Sequence, residues 1–160
     1  MILKNLNPFV IFNILLIITF SVSVNTFVEI QNINFIFYTI FHLIFIYFLF
    51  YYYHFTHYLL GFIYGILFDI FLLNDIGSHL ITLIILISIF IFFKKFLFLL
   101  SSNQVFLVIF IILNITIYFE IFLSYVLNNI YFTLPYLFKY FIISMIIFIP
   151  SIFLLNKIDR

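Results

Sequence analysis

Two carboxylates stand inside long apolar runs of this sequence, and they are the residues best placed to do chemistry. Asp69 lies in LLGFIYGILFDIFLL, and Glu120 lies in IILNITIYFEIFLSYVL. An ionised carboxylate at the centre of a bilayer costs about 2.5–3.5 kcal/mol on insertion scales. Each carboxylate therefore needs a partner, and it could bind another helix, hold an ion or carry a proton.

Asp69 extends a glycine pattern. Gly61, Gly65 and Asp69 recur every four residues, so they share one face of a helix, with a drift of about 40° per step. Glycines at this spacing let a second helix backbone approach closely. Two interpretations stay open: a packing groove beside a structural, hydrogen-bonding acid, or a site for a partner helix, an ion or a proton.

The segment NDIGSH, which follows Asp69, predicts a turn. Asp75 can supply an Asx-type hydrogen bond, and Gly77 offers a permissive backbone. Ser78 is then placed to cap the next helix. His79 opens that helix near the membrane interface, as either a structural or a binding residue.

Glu120 lies beyond the middle of its apolar run, towards the outer end. We predict a role in packing or partner contact, with transport as the alternative, and Lys139 as an ionic partner for Glu120. The histidines do not predict a metal site. His54 and His57 are three apart, which suits one helix face, but no carboxylate lies near these two in sequence. We interpret all four as neutral residues at the membrane interface: His42, His54, His57 and His79.

The chain has no cysteine, which excludes disulfides, thiolate metal sites and cysteine nucleophiles. The sequence has no G-x-S-x-G, H-E-x-x-H, P-loop or dinucleotide-binding glycine pattern. We therefore expect a protein that is not an enzyme and has no cofactor. The net charge of +1, with scattered basic residues, gives no argument for nucleic acid.

Composition predicts an all-α integral membrane protein. The chain of 160 residues is 68% hydrophobic and only 7% charged, with a mean hydropathy of +1.42, whereas a soluble domain has about 25% charged residues. The apolar runs are continuous rather than alternating, which disfavours a membrane barrel. We expect one polytopic membrane domain over residues 1–160.

Polar residues divide the chain into six predicted transmembrane helices in a compact bundle, and the third and fourth are short for the roughly 20 residues of a full span. These two could form a tight hairpin or a re-entrant pair, and a five-span arrangement is the alternative for the whole chain. The predicted helices cover about 8–24, 35–53, 58–73, 78–93, 104–127 and 135–155.

Positive charges predict the orientation of the bundle. With six spans, five of the six basic residues fall on one side, which the positive-inside rule assigns to the cytoplasm: Lys4, Lys94, Lys95, Lys157 and Arg160. The N- and C-termini are then cytoplasmic. Lys139 alone disagrees, and its long side chain can reach the outer interface.

The central stretch resembles the bacterial rod shape-determining membrane protein family MreD. Members of this family carry a helix with G-x-x-x-G-x-x-x-D, a short turn with a glycine, and another helix. The matching residues here are Gly61, Gly65, Asp69 and Gly77. Members often carry a glutamine where Gln104 stands, and IPSIFLLNKID resembles the family's ending, although this chain lacks the family's proline near the start of the second helix.

The resemblance implies a non-enzymatic scaffold of the cell-elongation machinery, which helps maintain rod shape and lateral peptidoglycan synthesis. It implies a multi-pass protein of the bacterial inner (cytoplasmic) membrane, with an MreC-like bitopic protein, an MreB-like actin homologue, a RodA-type glycosyltransferase and its transpeptidase as partners, besides membrane lipid. A groove at Gly61 and Gly65 would receive a partner's helix. The alternative is a small-molecule transporter, or the substrate-binding subunit of an energy-coupling factor-type transporter, with Asp69 and Glu120 lining a cavity.

Overall fold

The computed structural model describes residues 31–70, 77–97, 99–129 and 133–159, together with 10, 13–14 and 16–18. The last group is helical, and we call it α1. The other helices are α2 (Gln31–Tyr51), α3 (Thr56–Phe68), α4 (Ser78–Leu97), α5 (Ser102–Asn128) and α6 (Leu134–Asp159). The predicted all-α class is confirmed for these ranges, in which no residue is in a strand.

Three helices are long and apolar enough to cross a membrane, which indicates a membrane protein. Their candidate spans are Ser78–Leu97 with 20 residues, Gln104–Leu127 with 24 and Leu134–Lys157 with 24. A helix of about 20 residues matches a hydrocarbon core of about 30 Å. The apolar parts of α2 and α3, Phe35–Tyr51 and Thr56–Phe68, are shorter.

The prediction that the fourth helix is short is wrong. Helix α4 does not end before Lys94 and Lys95 but includes both in its last turn and continues to Leu97. Cations at a helix C-terminus offset the partial negative charge of the last carbonyl groups, so both lysines are favourably placed in this last turn. Helix α3 is short, with 13 residues.

Helix α2 is the centre of the bundle. Every residue from 41 to 50 is buried, and α2 packs against α4, α5 and α6. A helix that is apolar on all sides belongs in an interior. Helix α3 packs mainly on α4, so the two form a hairpin against this centre.

Helices α2, α4 and α6 run in one direction. Phe35 at the start of α2 has its ring centroid 4.7 Å from that of Tyr136 at the start of α6, and Tyr47 near the end of α2 donates a hydrogen bond to Asn156 near the end of α6. The Phe50 and Phe90 rings, 5.8 Å apart, align α2 with α4 in the same way. Helices α3 and α5 run in the opposite direction.

The two ends of the bundle therefore differ in charge. We call one the lysine end, because Lys94, Lys95 and Lys157 lie there, in the last turns of α4 and α6. The other is the Asp69 end, where α3 stops and α4 starts. Lys139 lies at the Asp69 end, with its ammonium nitrogen 5.6 Å from the centroid of the Phe35 ring.

Candidate functional site

The carboxylate of Asp69 caps the start of α4. Its Oδ2 accepts the backbone N–H of Gly77 at 2.7 Å and of Leu80 at 3.2 Å, and its Oδ1 accepts the N–H of His79 at 2.8 Å. The first N–H groups of a helix have no partner within the helix. A carboxylate from α3 satisfies them here and also meets the positive end of the α4 dipole.

Two side chains complete the set of groups around Asp69. The Nδ1 of His79 lies 2.8 Å from Oδ1, and the Ser78 hydroxyl donates to the same oxygen at 3.3 Å. An ionised carboxylate offers about four lone-pair sites, and five contacts fill them. The prediction that Ser78 caps α4 is therefore wrong. Asp69 is the capping residue, and the Ser78 hydroxyl donates a hydrogen bond to it.

Gly77 makes the turn that brings these donors to Asp69. Its φ of +147° lies in a region that residues with a Cβ rarely adopt, so glycine is needed for the backbone as well as for the N–H it donates. The predicted turn role of Gly77 is confirmed. The role predicted for Asp75 lies outside the described residues.

Gly61 and Gly65 face α4 of the same chain. A Cβ built on Gly65 would lie 2.6 Å from Cα of Leu80, and one built on Gly61 would lie 2.8 Å from Cδ1 of Ile87. The two glycines let α3 and α4 approach closely, in the manner of small residues in membrane helices. The groove is filled by α4, so the partner helix that the resemblance implied has no room at these glycines.

Gly65→Ala is expected to lower the free energy of unfolding by about 1–3 kcal/mol, the usual cost of overpacking. The added methyl meets backbone atoms of Leu80, which cannot move without separating α3 from α4. Gly61→Ala is the matched control, because its methyl meets the flexible end of Ile87, and we expect a change below about 1 kcal/mol. Denaturant titration of both variants in detergent, followed by circular dichroism, tests this. Equal losses for the two variants would contradict it.

Glu120 is paired with α2. Its Oε2 accepts the hydroxyl of Tyr38, and Nε2 of His42 lies 3.0 Å from the carboxylate oxygens. Glu120 and His42 are each 1% exposed. The prediction of Lys139 as the ionic partner is wrong, since the acid is satisfied by α2 and Lys139 rests on Phe35.

The hydrogen bonds of His42 restrict where its protons are. Its Nδ1 lies 2.9 Å from the carbonyl oxygen of Tyr38, and a carbonyl only accepts, so Nδ1 carries a hydrogen. The contact between Nε2 and Glu120 then contains a single shared proton. Whichever atom holds it, His42 and Glu120 together carry no net charge, which limits the cost of burying them.

The two acid–histidine pairs are neighbours at the Asp69 end. The ring of Phe68 lies 5.6 Å from that of His79 and 6.4 Å from that of His42. The ring of Tyr38 lies 5.9 Å from that of His79. Four of the six predicted site residues thus meet around the α3–α4 turn: Gly65, Asp69, Gly77 and His79. Gly61 lies farther along α3, against Ile87, and Glu120 is connected to the group through Tyr38.

Sequence reasoning missed Tyr38 and the pairing of His42 with Glu120. The signal that could have found them is the spacing of four between Tyr38 and His42 in an apolar helix, which places two polar side chains on one face. His42 and His79 are buried beside acids, and the interpretation of the histidines as residues of the membrane interface stays a prediction. His57 is buried as well, with Nδ1 2.8 Å from the carbonyl oxygen of His54. Within the described ranges, no group of three histidine, aspartate or glutamate side chains could hold a metal ion.

Both carboxylates thus connect two helices. Asp69 fixes α3 to the start of α4, and Glu120 fixes α5 to α2. This geometry supports a structural role for both acids, which hold the helices of the bundle together, because the oxygen atoms of each acid are already hydrogen-bonded within the chain. Comparison with protein-family models, with curated proteins and with solved structures gives no match to this chain.

Proposed function

We propose that the chain is a multi-pass protein of the bacterial inner membrane, which acts as a non-enzymatic scaffold of the cell-elongation machinery, as members of the MreD family do. One observation carries this proposal. The stretch on which the resemblance rests has a structural role at each matching residue: Gly61 and Gly65 admit α4, Asp69 caps it, and Gly77 turns the chain.

A scaffold needs a fixed shape more than it needs reactive groups. The α3–α4 hairpin is held by contacts that leave Asp69 no vacant lone pair, and its outer face is apolar. Leu59, Phe62 and Ile63 of α3 are 60%, 48% and 43% exposed. Such a face can meet lipid or the transmembrane helix of an MreC-like partner, in place of the filled groove.

The proposed topology has six spans, with both termini in the cytoplasm. The lysine end supports this orientation, since cytoplasmic segments carry an excess of lysine and arginine. The MreB-like actin homologue would then meet the lysine end, and the RodA-type glycosyltransferase and its transpeptidase would meet the chain within the membrane. A periplasm-active reporter fused after the last residue is expected to be inactive, and a cytoplasm-active one active; the reverse would contradict the topology.

Depletion of the protein is expected to turn rod-shaped cells round, because the elongation complex loses its scaffold. The wild-type chain and the Lys139→Gln variant should restore rod shape, whereas Gly65→Leu, which forces α3 from α4, should not. Cell shape by microscopy and co-purification of the MreC-like partner are the measurements. Rod shape retained after depletion would refute the proposed function, whatever the behaviour of the variants.

A transporter, or its substrate-binding subunit, is the second candidate. It needs polar groups that line a cavity, with Asp69 and Glu120 as the candidates. Neither acid lines the cavity of about 380 Å³ between α2, α4 and α5 or the cavity of about 670 Å³ between α5 and α6. We therefore expect no thermal stabilisation of the purified protein by vitamins or small ions. Stabilisation by one such ligand would favour the transporter.

A further inference from the structure

The cavity of about 670 Å³ between α5 and α6 lies at the lysine end of the bundle. Phe106 near the start of α5 lines it, together with Phe148, Phe153 and aliphatic side chains of α6. Helix α6 packs mainly on α2, so α5 covers little of this side of α6, and Phe153 is 72% exposed. The cavity is therefore a groove that opens at the surface of the bundle, and we call it the α5–α6 groove.

Two polar side chains, Asn156 and Lys157, line the groove at the lysine end. Asn156 follows Ile152 by four residues and Lys157 follows Phe153 by four, so each lies one turn beyond an apolar lining residue on the same face of α6. Oδ1 of Asn156 accepts the hydroxyl of Tyr47 at 3.1 Å. The groups that remain for an occupant are the NH₂ of Asn156 and the ammonium of Lys157, which only donate.

The polar end of the groove favours an anion at the level of the lipid headgroups. Lys157 is exposed, and none of the described residues that line the groove is acidic. The candidate membrane span of α6 ends at Lys157, and a lysine at the end of a membrane helix keeps its ammonium group at the interface. The groove thus matches a molecule with an anionic group at the interface and a hydrocarbon body below it.

The apolar part of the groove suits an acyl chain. Lipid tails are as apolar as leucine, so they fill a groove on the surface of a membrane protein unless a protein segment displaces them. Membrane helices pack closely where small residues let their backbones approach, but no glycine, alanine, serine or threonine is among the described residues that line this groove. The choice between one lipid and another then depends on the donors at the polar end.

We infer that the α5–α6 groove binds an anionic phospholipid, with one acyl chain against Phe153 and the phosphate at Asn156 and Lys157. Basic pockets between membrane helices hold lipid headgroups by the same chemistry. The groove lies at the opposite end of the bundle from Asp69, and the inference does not depend on the proposed scaffold function. The lipid fills the gap between α5 and α6 beside the headgroup layer.

Tryptophan fluorescence tests the inference, because the chain has no tryptophan and Phe153→Trp places a single probe in the groove. The full-length variant is reconstituted in phosphatidylcholine vesicles that contain a small fraction of phosphatidylglycerol or phosphatidylcholine with brominated acyl chains, since bromine quenches a nearby tryptophan. Phosphatidylglycerol should quench with an apparent affinity about fivefold higher, the contribution of one lysine near the headgroups. Leu154→Trp, at a second exposed position of the lining, replaces the probe if circular dichroism shows that Phe153→Trp is unfolded.

A matched pair of charge variants tests whether this preference belongs to the groove. Added to the tryptophan variant, Lys157→Gln should abolish the preference for phosphatidylglycerol, because it removes the ammonium group that lines the groove. Lys95→Gln removes one exposed ammonium group at the same end of the bundle, from a residue outside the groove lining. We expect the preference to be retained in that variant.

Four outcomes would overturn the inference. The two brominated lipids could quench the tryptophan equally, which would exclude a headgroup contact. Lys157→Gln could keep the preference, or Lys95→Gln could lose as much of it, and the preference would then belong to the charge of the whole lysine end. Both brominated lipids could fail to quench the tryptophan, which would mean that a second copy of the chain covers the groove.

Discussion

Asp69→Ala is expected to lower the free energy of unfolding by about 3–5 kcal/mol, the range for removal of one partner from a buried pair. The alanine leaves three N–H groups at the start of α4 without their acceptor, and it leaves His79 in the core without its acid. Each buried donor that loses its partner costs about 1–3 kcal/mol. Denaturant titration in detergent micelles, followed by circular dichroism, measures the loss.

Two further variants separate the charge of Asp69 from its shape. Asp69→Asn keeps one carbonyl oxygen in place, so we expect a smaller loss of about 1–3 kcal/mol. Ser88→Ala removes an exposed hydroxyl from the same helix α4, and we expect a change within about 0.5 kcal/mol. A stability of Asp69→Ala close to that of Ser88→Ala would show that the cap does not hold the hairpin.

Much of the α3–α4 hairpin could be predicted from local spacing. The step of four residues places Gly61, Gly65 and Asp69 on one face, and Gly77 marks a turn eight residues after Asp69. Which helix packs against that face could not be predicted, since small residues admit a neighbouring helix of the same chain as well as a partner's helix. In the structure, α4 packs against that face. Leu80 lies against Gly65, and this register brings the start of α4 to the carboxylate of Asp69.

Hydropathy predicted the helices better than their ends. It detects residues suited to hydrocarbon, whereas a helix continues wherever backbone hydrogen bonds continue. Helix α2 therefore starts at Gln31 rather than 35, and α6 continues to Asp159 rather than 155. Helix α4 passes through Lys94 and Lys95 for the same reason.

The buried pair of His42 and Glu120 could not be predicted from local spacing, because 78 residues separate its members in the sequence. Periodicity shows which residues share a helix face, but not which face of another helix they will meet. The sequence did show that Glu120 needed a partner. The choice between Lys139 and His42 depended on which helix α5 packs against at that depth, and α2 supplies both His42 and Tyr38.

The pair of His42 and Glu120 predicts a strong energetic coupling between α2 and α5. His42→Leu leaves Glu120 buried with Tyr38 as its remaining partner, and Glu120→Leu leaves both His42 and the Tyr38 hydroxyl without their acceptor. Each single variant should lower the free energy of unfolding by about 3–5 kcal/mol. In the double variant neither polar group remains, so its loss should be smaller than the sum of the two single losses by about 1–3 kcal/mol. A double-mutant cycle by denaturant titration measures this difference.

Asn114 and Ser144 provide the control cycle, because they form a neutral hydrogen bond of 2.9 Å between α5 and α6. Neutral bonds between membrane helices average about 0.6 kcal/mol in such cycles. The coupling of His42 with Glu120 should exceed this value, since one proton is shared between two groups that are each 1% exposed. Equal coupling energies in the two cycles would mean that the acid and the histidine act as packing groups. The shared proton would then add nothing to the stability of the contact between α5 and α2.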